Sequence, residues 1–421
     1  VAPNRRLEPP KVSLEVIIAL VLALACVGWG LWLRAYALGR PTSFASDEYH
    51  FVNGAQRYLQ GLPDENDHPA LGKLLIALGI RAFGDDGLGW RCVPALFGAA
   101  SVAFAGLLAR RLFSSSAAWV FALVLVSLDG FAIAYSRVAL LDSMLTSLLL
   151  LSLLLSLGQS TVSLVGAIVV GGLAMGIKFT GVCYLGPLGC ALLLRSGPGR
   201  VRWLLMAPLL SLFVYYLCQA LGLWLTHAPW GPLSVWNQTL ALLRHHVGLT
   251  DWQNPATSAW SSWLAPVRYL VLWRMEEGAI VRMVTTRGNP LVWWLSSLTV
   301  LSLSLWVLWR GVGPVLSAPP SQQTPRSTVS AFRLGPVSLP ARSLVFCLAA
   351  YWSLLAPWIV TRRDSYLYHY LPSYLLALVL LSGVFGDVVR SRRRAVFLLM
   401  GALVSLSVWY SPRWAGLAPW A

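Results

Sequence analysis

Charge is scarce in this sequence. Lys, Arg, Asp and Glu make up 11% of its 421 residues, against about a quarter in ordinary soluble domains, so no water-soluble domain of useful size can be drawn from it. Cysteine is sparse too: Cys26, Cys92, Cys183, Cys190, Cys218 and Cys347 are scattered, mostly in apolar runs, with no C-x-x-C or other ligand spacing. They read as small buried side chains rather than disulfides or a metal centre. The 32 basic residues outnumber the 16 acidic ones for a net +16, but they are dispersed between hydrophobic spans. That dispersal argues against nucleic acid and for membrane topology and anionic lipid. No internal repeat of the transporter kind is present.

Apolar chain is what the sequence has in abundance, 57% of the residues. Runs of about 20 residues, the length a helix needs to cross ~30 Å of hydrocarbon, recur throughout. Eleven spans are predicted, near 16–33, 92–109, 117–136, 140–157, 162–177, 181–194, 203–224, 290–309, 343–360, 371–386 and 395–410. The expectation is an all-α polytopic membrane protein, a single transmembrane domain over 1–421, integral to the plasma (inner) membrane with a cytoplasmic N-terminus. Arg5, Arg6 and Lys11 precede the first span, which lacks a small-residue cleavage site and so reads as a retained anchor. Short basic turns at Arg110 and Arg111, at 195–202 and at 390–394 follow the positive-inside rule, although Lys and Arg divide 16 to 16 between the two sides. The acids divide unevenly, 13 of 16 falling on the outer side or within its spans, which marks where the polar chemistry sits.

Two outer loops, 34–91 and 225–289, are long enough to be functional. The second is rich in Trp and is expected to carry short interfacial helices. The cytoplasmic loop 311–342, with Pro319, Pro320, Ser321, Gln322, Gln323 and Pro325, reads as a flexible linker.

The first outer loop opens on Ser46-Asp47-Glu48-Tyr49-His50. Two adjacent carboxylates can take a proton from a hydroxyl or hold a divalent cation, and can equally be a helix N-cap. His68-Pro69-Ala70-Leu71-Gly72-Lys73 follows, a kink, a glycine permitting close approach and a lysine expected to project outward, together able to floor a polar pocket. His68 is also readable as a structural hydrogen-bonding residue. Beyond it stands Trp90-Arg91. Arg137 and Asp142 lie five residues apart at the outer end of a span, as a structural ion pair or as functional groups. Lys178 ends the fifth span, where snorkelling is the simple alternative. Arg362 and Arg363, beside Tyr366, Tyr368 and His369, stand on the side that positive charge does not favour. With Arg91, Arg137 and Lys178 they are expected to converge on a phosphate, or, for the last pair, on ordinary anionic headgroups.

In order and spacing these residues resemble the protein O-mannosyltransferase family of the C-type glycosyltransferase superfamily, membrane enzymes that use polyprenyl-phosphate-linked mannose. The resemblance rests on Asp47-Glu48, His68 through Lys73, Trp90-Arg91 with Phe97-Gly98, Ser136-Arg137 through Leu141-Asp142-Ser143, and Lys178-Phe179-Thr180-Gly181. His245-His246-Val247-Gly248-Leu249-Thr250, Gly288-Asn289-Pro290-Leu291-Val292-Trp293-Trp294 and Tyr368-His369-Tyr370-Leu371-Pro372 extend it over nearly the whole chain.

By this resemblance Asp47 would be the general base and Glu48 would shape the acceptor side. Arg91 would hold the donor phosphate, with Arg137, Lys178, Arg362, Arg363 and His369 as further donor or pocket contacts. His68, Lys73 and Asp142 would belong to the pocket, and His245, His246 and Trp263 would lie near the acceptor. The implied reaction is inverting transfer of a hexose, mannose in this family, from a polyprenyl phosphate to Ser or Thr hydroxyls of secreted or membrane proteins on the outer face. No cofactor or metal is implied, a divalent ion at Asp47 and Glu48 being the less favoured alternative, and the oligomeric state is left open.

HPAL stands where the family has HPPL, Asn254-Pro255 replaces a frequent His-Pro, and no β-rich domain is inserted or appended, which suggests a compact bacterial form. Two other readings remain: the same donor with a glycan or lipid acceptor, and a non-catalytic lipid-binding or transport protein. The last predicts polar residues in mid-span on discontinuous helices rather than at outer span ends.

Overall fold

A helix satisfies its own backbone hydrogen bonds, so apolar chain in lipid folds into helices. The computed structural model of the protein, which describes residues 14–64, 67–195, 199–250, 254–277, 280–311, 331–334 and 337–417, has a helix at every one of the predicted spans. In chain order the helices are α1 (Leu14–Ala35), α2 (Glu48–Leu59), α3 (Ala70–Phe83), α4 (Gly87–Phe113), α5 (Ser116–Ser127), α6 (Gly130–Ser136), α7 (Asp142–Ser156) and α8 (Thr161–Ile177). They continue with α9 (Leu185–Leu193), α10 (Gly199–Leu225), α11 (Pro232–Gly248), α12 (Pro290–Arg310), α13 (Ala341–Val360), α14 (Leu371–Val388), α15 (Arg393–Tyr410) and α16 (Pro412–Ala415).

The eleven expected spans are all helical, but their lengths differ. Among the described residues seven helices are long and apolar enough to cross a membrane, or eight if α5 and α6 form one bent span. At 15 and 17 residues α7 and α8 rise only about 22 and 26 Å at 1.5 Å per residue.

The segment 117–136 breaks at Asp129, and its two halves meet at 58°. Asp129 is the N-cap of α6, its carboxylate accepting from the Ala132 N–H at 2.8 Å. The carbonyls freed at the end of α5 are met by Arg34 of α1, which donates to Val126 O at 3.0 Å and Ser127 O at 2.7 Å. Tyr374 completes the cluster, its hydroxyl donating to Asp129 at 3.0 Å. This discontinuous helix with a mid-span carboxylate was not foreseen, and its polar groups are turned inward on one another.

At the centre stands α14, with 15 of its 18 residues buried, an apolar surface on every side as befits an all-round hydrophobic helix. α4 packs close enough on the Ser136 turn that a Cβ at Gly98 would overlap the Ser136 side chain. The second outer loop holds α11, of which only Val235 and Leu242 are buried. It also holds an antiparallel hairpin of β1 (Val271–Glu277) and β2 (Ile280–Thr285), where interfacial helices alone were expected. Val271, Val281, Val284 and Thr285 are β-branched and fit a pleated surface. A second hairpin pairs β3 (Ala331–Leu334) with β4 (Val337–Pro340), so the loop read as a linker is structured at its end, while its Pro319 to Pro325 stretch lies outside the described residues. The basic residues Arg5, Arg6 and Lys11 lie outside them as well.

Candidate active site

Asp47 and Glu48 open α2, and the chain enters them through Ser46 in the left-handed region at φ 51°. Neighbouring residues at a helix start point about 100° apart, and the two carboxylates part company completely. Glu48 is fully buried. Its Oε1 accepts from Arg91 Nε and the Ala139 N–H, both at 2.7 Å, and its Oε2 from Arg91 Nη2 and the Ala45 N–H, also at 2.7 Å. A carboxylate offers about four lone-pair positions, and all are filled.

Arg91 is equally saturated. Besides the two bonds to Glu48 it donates to Leu38 O at 3.3 Å, Pro41 O at 2.7 Å and Ser43 O at 3.0 Å, which uses each of a guanidinium's five N–H donors. This corrects two expectations. Arg91 has no donor left for a substrate phosphate, and Glu48 has no oxygen free for an acceptor or a divalent ion. The pair is a keystone joining the loop before α2, the N-terminus of α4 and the turn between α6 and α7.

Asp47, by contrast, is exposed and makes no side-chain cap. It lies within electrostatic reach of Tyr135, Asp142 and Tyr368. Asp142 was expected to pair with Arg137, but it is Lys178 that reaches it, at 2.9 and 3.0 Å to the two oxygens, with both side chains nearly buried. The same ammonium sits 4.7 Å from the centre of the Tyr368 ring, a cation–π contact.

From Lys178 the site opens into a cavity of about 280 Å³ lined by His68, Lys178, His246, Arg362, Arg363 and His369, with Phe179 and Trp358 among its apolar walls. His369 is held by a stack on Trp358 at 3.5 Å and by the Tyr366 N–H, which donates to its Nδ1 at 3.1 Å. His68 and His246 stand 4.9 Å apart, and Arg363 Nη1 is 3.2 Å from His246 Nδ1. Burial, followed by the charges of Arg363, His245 and Lys178, pulls His246 down to about 4. Burial and the Lys178 charge hold His68 well below the ordinary imidazole range. His68 and His246 are therefore neutral near pH 7, and the positive charge of the cavity resides on Lys178, Arg362 and Arg363. Two buried nitrogens, Nδ1 of His68 and Nε of Arg363, make no hydrogen bond among the described residues. The Arg363 Nε–H is a buried donor that calls for an acceptor, which an anion supplies, while the role of His68 Nδ1 depends on its tautomer.

Four further expected residues are placed elsewhere. Arg137 donates to Leu33 O and to Ala415 O, the latter at 3.2 Å, tying α6 to α1 and α16 instead of facing the cavity. Lys73 does not project outward: it is buried and paired with Asp64 and, at 3.0 Å, with Asp67. Trp263 is a core residue, its indole donating to Ser258 Oγ at 2.8 Å and its carbonyl accepting from Trp293 at 2.8 Å. His245 is exposed beside His246 and does not line the cavity. Sequence reasoning overlooked Tyr135 and Trp358, aromatic residues within apolar spans that carry no polar pattern to announce them.

Two family models match the chain. Residues 67–225 match the model described as dolichyl-phosphate-mannose-protein mannosyltransferase, and residues 234–418 match that for the C-terminal four TMM region of protein-O-mannosyltransferase. The chain belongs to the protein O-mannosyltransferase family. Within that family, the polyprenol-phosphate-mannose–protein mannosyltransferase of Mycobacterium tuberculosis is 27% identical over 69% of this chain and 70% of its own length. The fold is shared with the Saccharomyces cerevisiae Pmt1-Pmt2 complex bound to the sugar donor, at a TM-score of 0.75 and 13% identity over 98% of this chain and 91% of that one. ArnT from Cupriavidus metallidurans bound to undecaprenyl phosphate is similar at a TM-score of 0.54 and 15% identity over 94% of this chain and 65% of that one. These likenesses are of fold, that of the C-type glycosyltransferases.

Proposed function

We propose that this chain is an inverting protein mannosyltransferase that moves mannose from a polyprenyl phosphate to Ser or Thr hydroxyls. Asp47 takes the proton of the incoming hydroxyl, whose oxygen forms a bond to the anomeric carbon from the face opposite the departing phosphate. The bond from that carbon to the phosphate oxygen breaks, and the lipid phosphate leaves with the electron pair. Lys178, Arg362 and Arg363 stabilise the charge that grows on it, while His369 and the neutral His68 and His246 orient it by hydrogen bonds. The observation that supports this reading is the grouping around Tyr368: Asp47 and Asp142 lie within electrostatic reach of it, and Lys178, whose ammonium sits 4.7 Å from its ring, also lines the cation-bearing cavity.

The same reading puts the site on the extracytoplasmic face of the plasma membrane. In its support, the short turns at the far end of the bundle are basic, at Arg110 and Arg111, at 195–202 and at 390–394, as the positive-inside rule expects of short cytoplasmic loops. The test is the purified full chain with labelled polyprenyl-phosphate mannose, offered peptide and lipid acceptors in parallel. Label in peptide supports the proposal, and label in lipid alone rejects the protein acceptor. Asp47→Asn is expected to lower kcat by about 10²–10⁴ with donor binding retained; wild-type turnover by that variant rejects Asp47 as the base.

A further inference from the structure

We infer that the end of the bundle opposite Asp47 carries a second anion site, which takes the phosphate of an anionic phospholipid from that leaflet. α4, α7 and α9 end there and α13 begins there. Between them lies a cavity of about 240 Å³ lined by Arg111, Arg195 and Arg342, with Gln159 and Ser343 beside them and no Asp or Glu in its wall. Arg111 donates to Leu157 O at 3.4 Å, Arg195 to Ser156 O at 2.9 Å and also to Gly158 O, and Arg342 to Leu194 O at 3.1 Å. These carbonyls belong to the C-terminal ends of α7 and α9, where a cation is favoured, so each arginine has a structural anchor.

Anchoring does not exhaust them. Among the described residues Arg111 uses one and Arg195 two of the five N–H donors a guanidinium carries. Among the described residues no carboxylate lines the cavity beside them. The segments joining helices at this end (110–116, 157–160, 194–202, 310–342 and 386–394) contain thirteen arginines and one carboxylate, Asp387. Asp387 accepts from the Ser338 N–H at 2.6 Å and lies 3.9 Å from Arg390. With no carboxylate among the described residues in its wall, the cavity suits an anion supplied from outside the protein. Guanidinium forks match phosphate oxygens two at a time, and a basic recess between spans on the cytoplasmic side lies at the level of the headgroups. The chemistry recognised is a phosphate ester, for which lipid is the abundant source at that depth and free phosphate the other.

This site is independent of the transfer reaction, and its test reads binding alone. The delipidated full chain is returned to bilayers of phosphatidylcholine with or without phosphatidylglycerol, and retained lipid is counted by native mass spectrometry alongside the thermal midpoint. Phosphatidylglycerol is expected to be retained and to raise the midpoint, with phosphatidylcholine doing neither. Arg111→Gln with Arg195→Gln should weaken that binding by roughly an order of magnitude or more, while Arg390→Gln with Arg394→Gln, at the same end but outside the cavity, should change it little. Equal loss in both pairs overturns the proposal in favour of diffuse surface charge, and no loss in the first pair overturns it outright. An equal midpoint shift from inorganic phosphate without lipid overturns the lipid as occupant. Should the glutamine pair fail to fold, Arg111→Lys with Arg195→Lys keeps the charge and removes the fork, and wild-type binding by that pair overturns the recognition.

Discussion

Glu48→Gln is nearly isosteric, and the structure makes it one of the most damaging small changes available. Each Glu48 oxygen accepts from one guanidinium N–H and one backbone N–H. Whichever way an amide is turned, its NH2 faces one of each, donor against donor, while Arg91 is left buried without its counter-charge. Breaking a buried pair from one side costs about 3–5 kcal/mol. At about 1.4 kcal/mol per decade, that is two to three and a half orders of magnitude in the population of the native arrangement.

The loss should appear twice: as a lower thermal midpoint in detergent, and as a fall in kcat, because Asp47 is the residue next door and loses its mounting. Replacing both partners, Glu48→Leu with Arg91→Met, should not restore stability. Five backbone groups, the N–H of Ala45 and Ala139 and the carbonyls of Leu38, Pro41 and Ser43, would still lose their partners. The control is Asp47→Asn, which should leave the midpoint unchanged. A Glu48→Gln protein as stable as Asp47→Asn would refute the keystone. An Arg91→Lys protein of full stability with only donor affinity impaired would return Arg91 to the phosphate.

The Lys178–Asp142 pair should behave differently. Lys178→Met alone strands a buried carboxylate and is expected to lose about 3–5 kcal/mol of stability, whereas Lys178→Met with Asp142→Leu should recover most of the thermal midpoint and none of the donor affinity. Recovered affinity in the double variant would remove Lys178 from the leaving-group site. For His246, a folded-state value near 4 lies below its unfolded value. Its contribution to stability is therefore complete above the unfolded pKa near 6.5 and is lost as pH falls from there toward 4. The pH profile of kcat/KM should accordingly contain no limb between 6 and 7 that disappears in His246→Gln, and such a limb would show the imidazole to be far less shielded.

The helical segments were legible because 20-residue apolar runs admit few other structures in lipid. The break at Asp129 was not, since an aspartate inside such a run carries no marker telling a cap from a membrane-buried functional group. Residue types at the site were legible as well, yet direction was not. Nothing in the string Asp47-Glu48 says which carboxylate turns inward, and the answer depends on Arg91 lying 43 residues away. Likewise Arg137, five residues away, was the partner the sequence suggested for Asp142, and only packing reveals Lys178, at the end of α8, beside the start of α7. Lys73 was misread because its partners Asp64 and Asp67 precede it in a loop whose path the sequence does not give. The hairpin of β1 and β2 was hidden by the tryptophans around it, which suggested headgroup-level helices instead.

The cavity has walls of two kinds. Lys178 and His369 are set in the densely filled heart of the bundle, where displacement would tear packed side chains apart, but His246 rides on α11, which buries only Val235 and Leu242 and is otherwise held by polar contacts such as Tyr215 to Thr239 and Arg363 to His246. A rod so lightly seated can lean without rupturing a seam. Any yielding of the cavity wall would thus fall on that flank, while Lys178 stays paired with Asp142 inside the packed bundle.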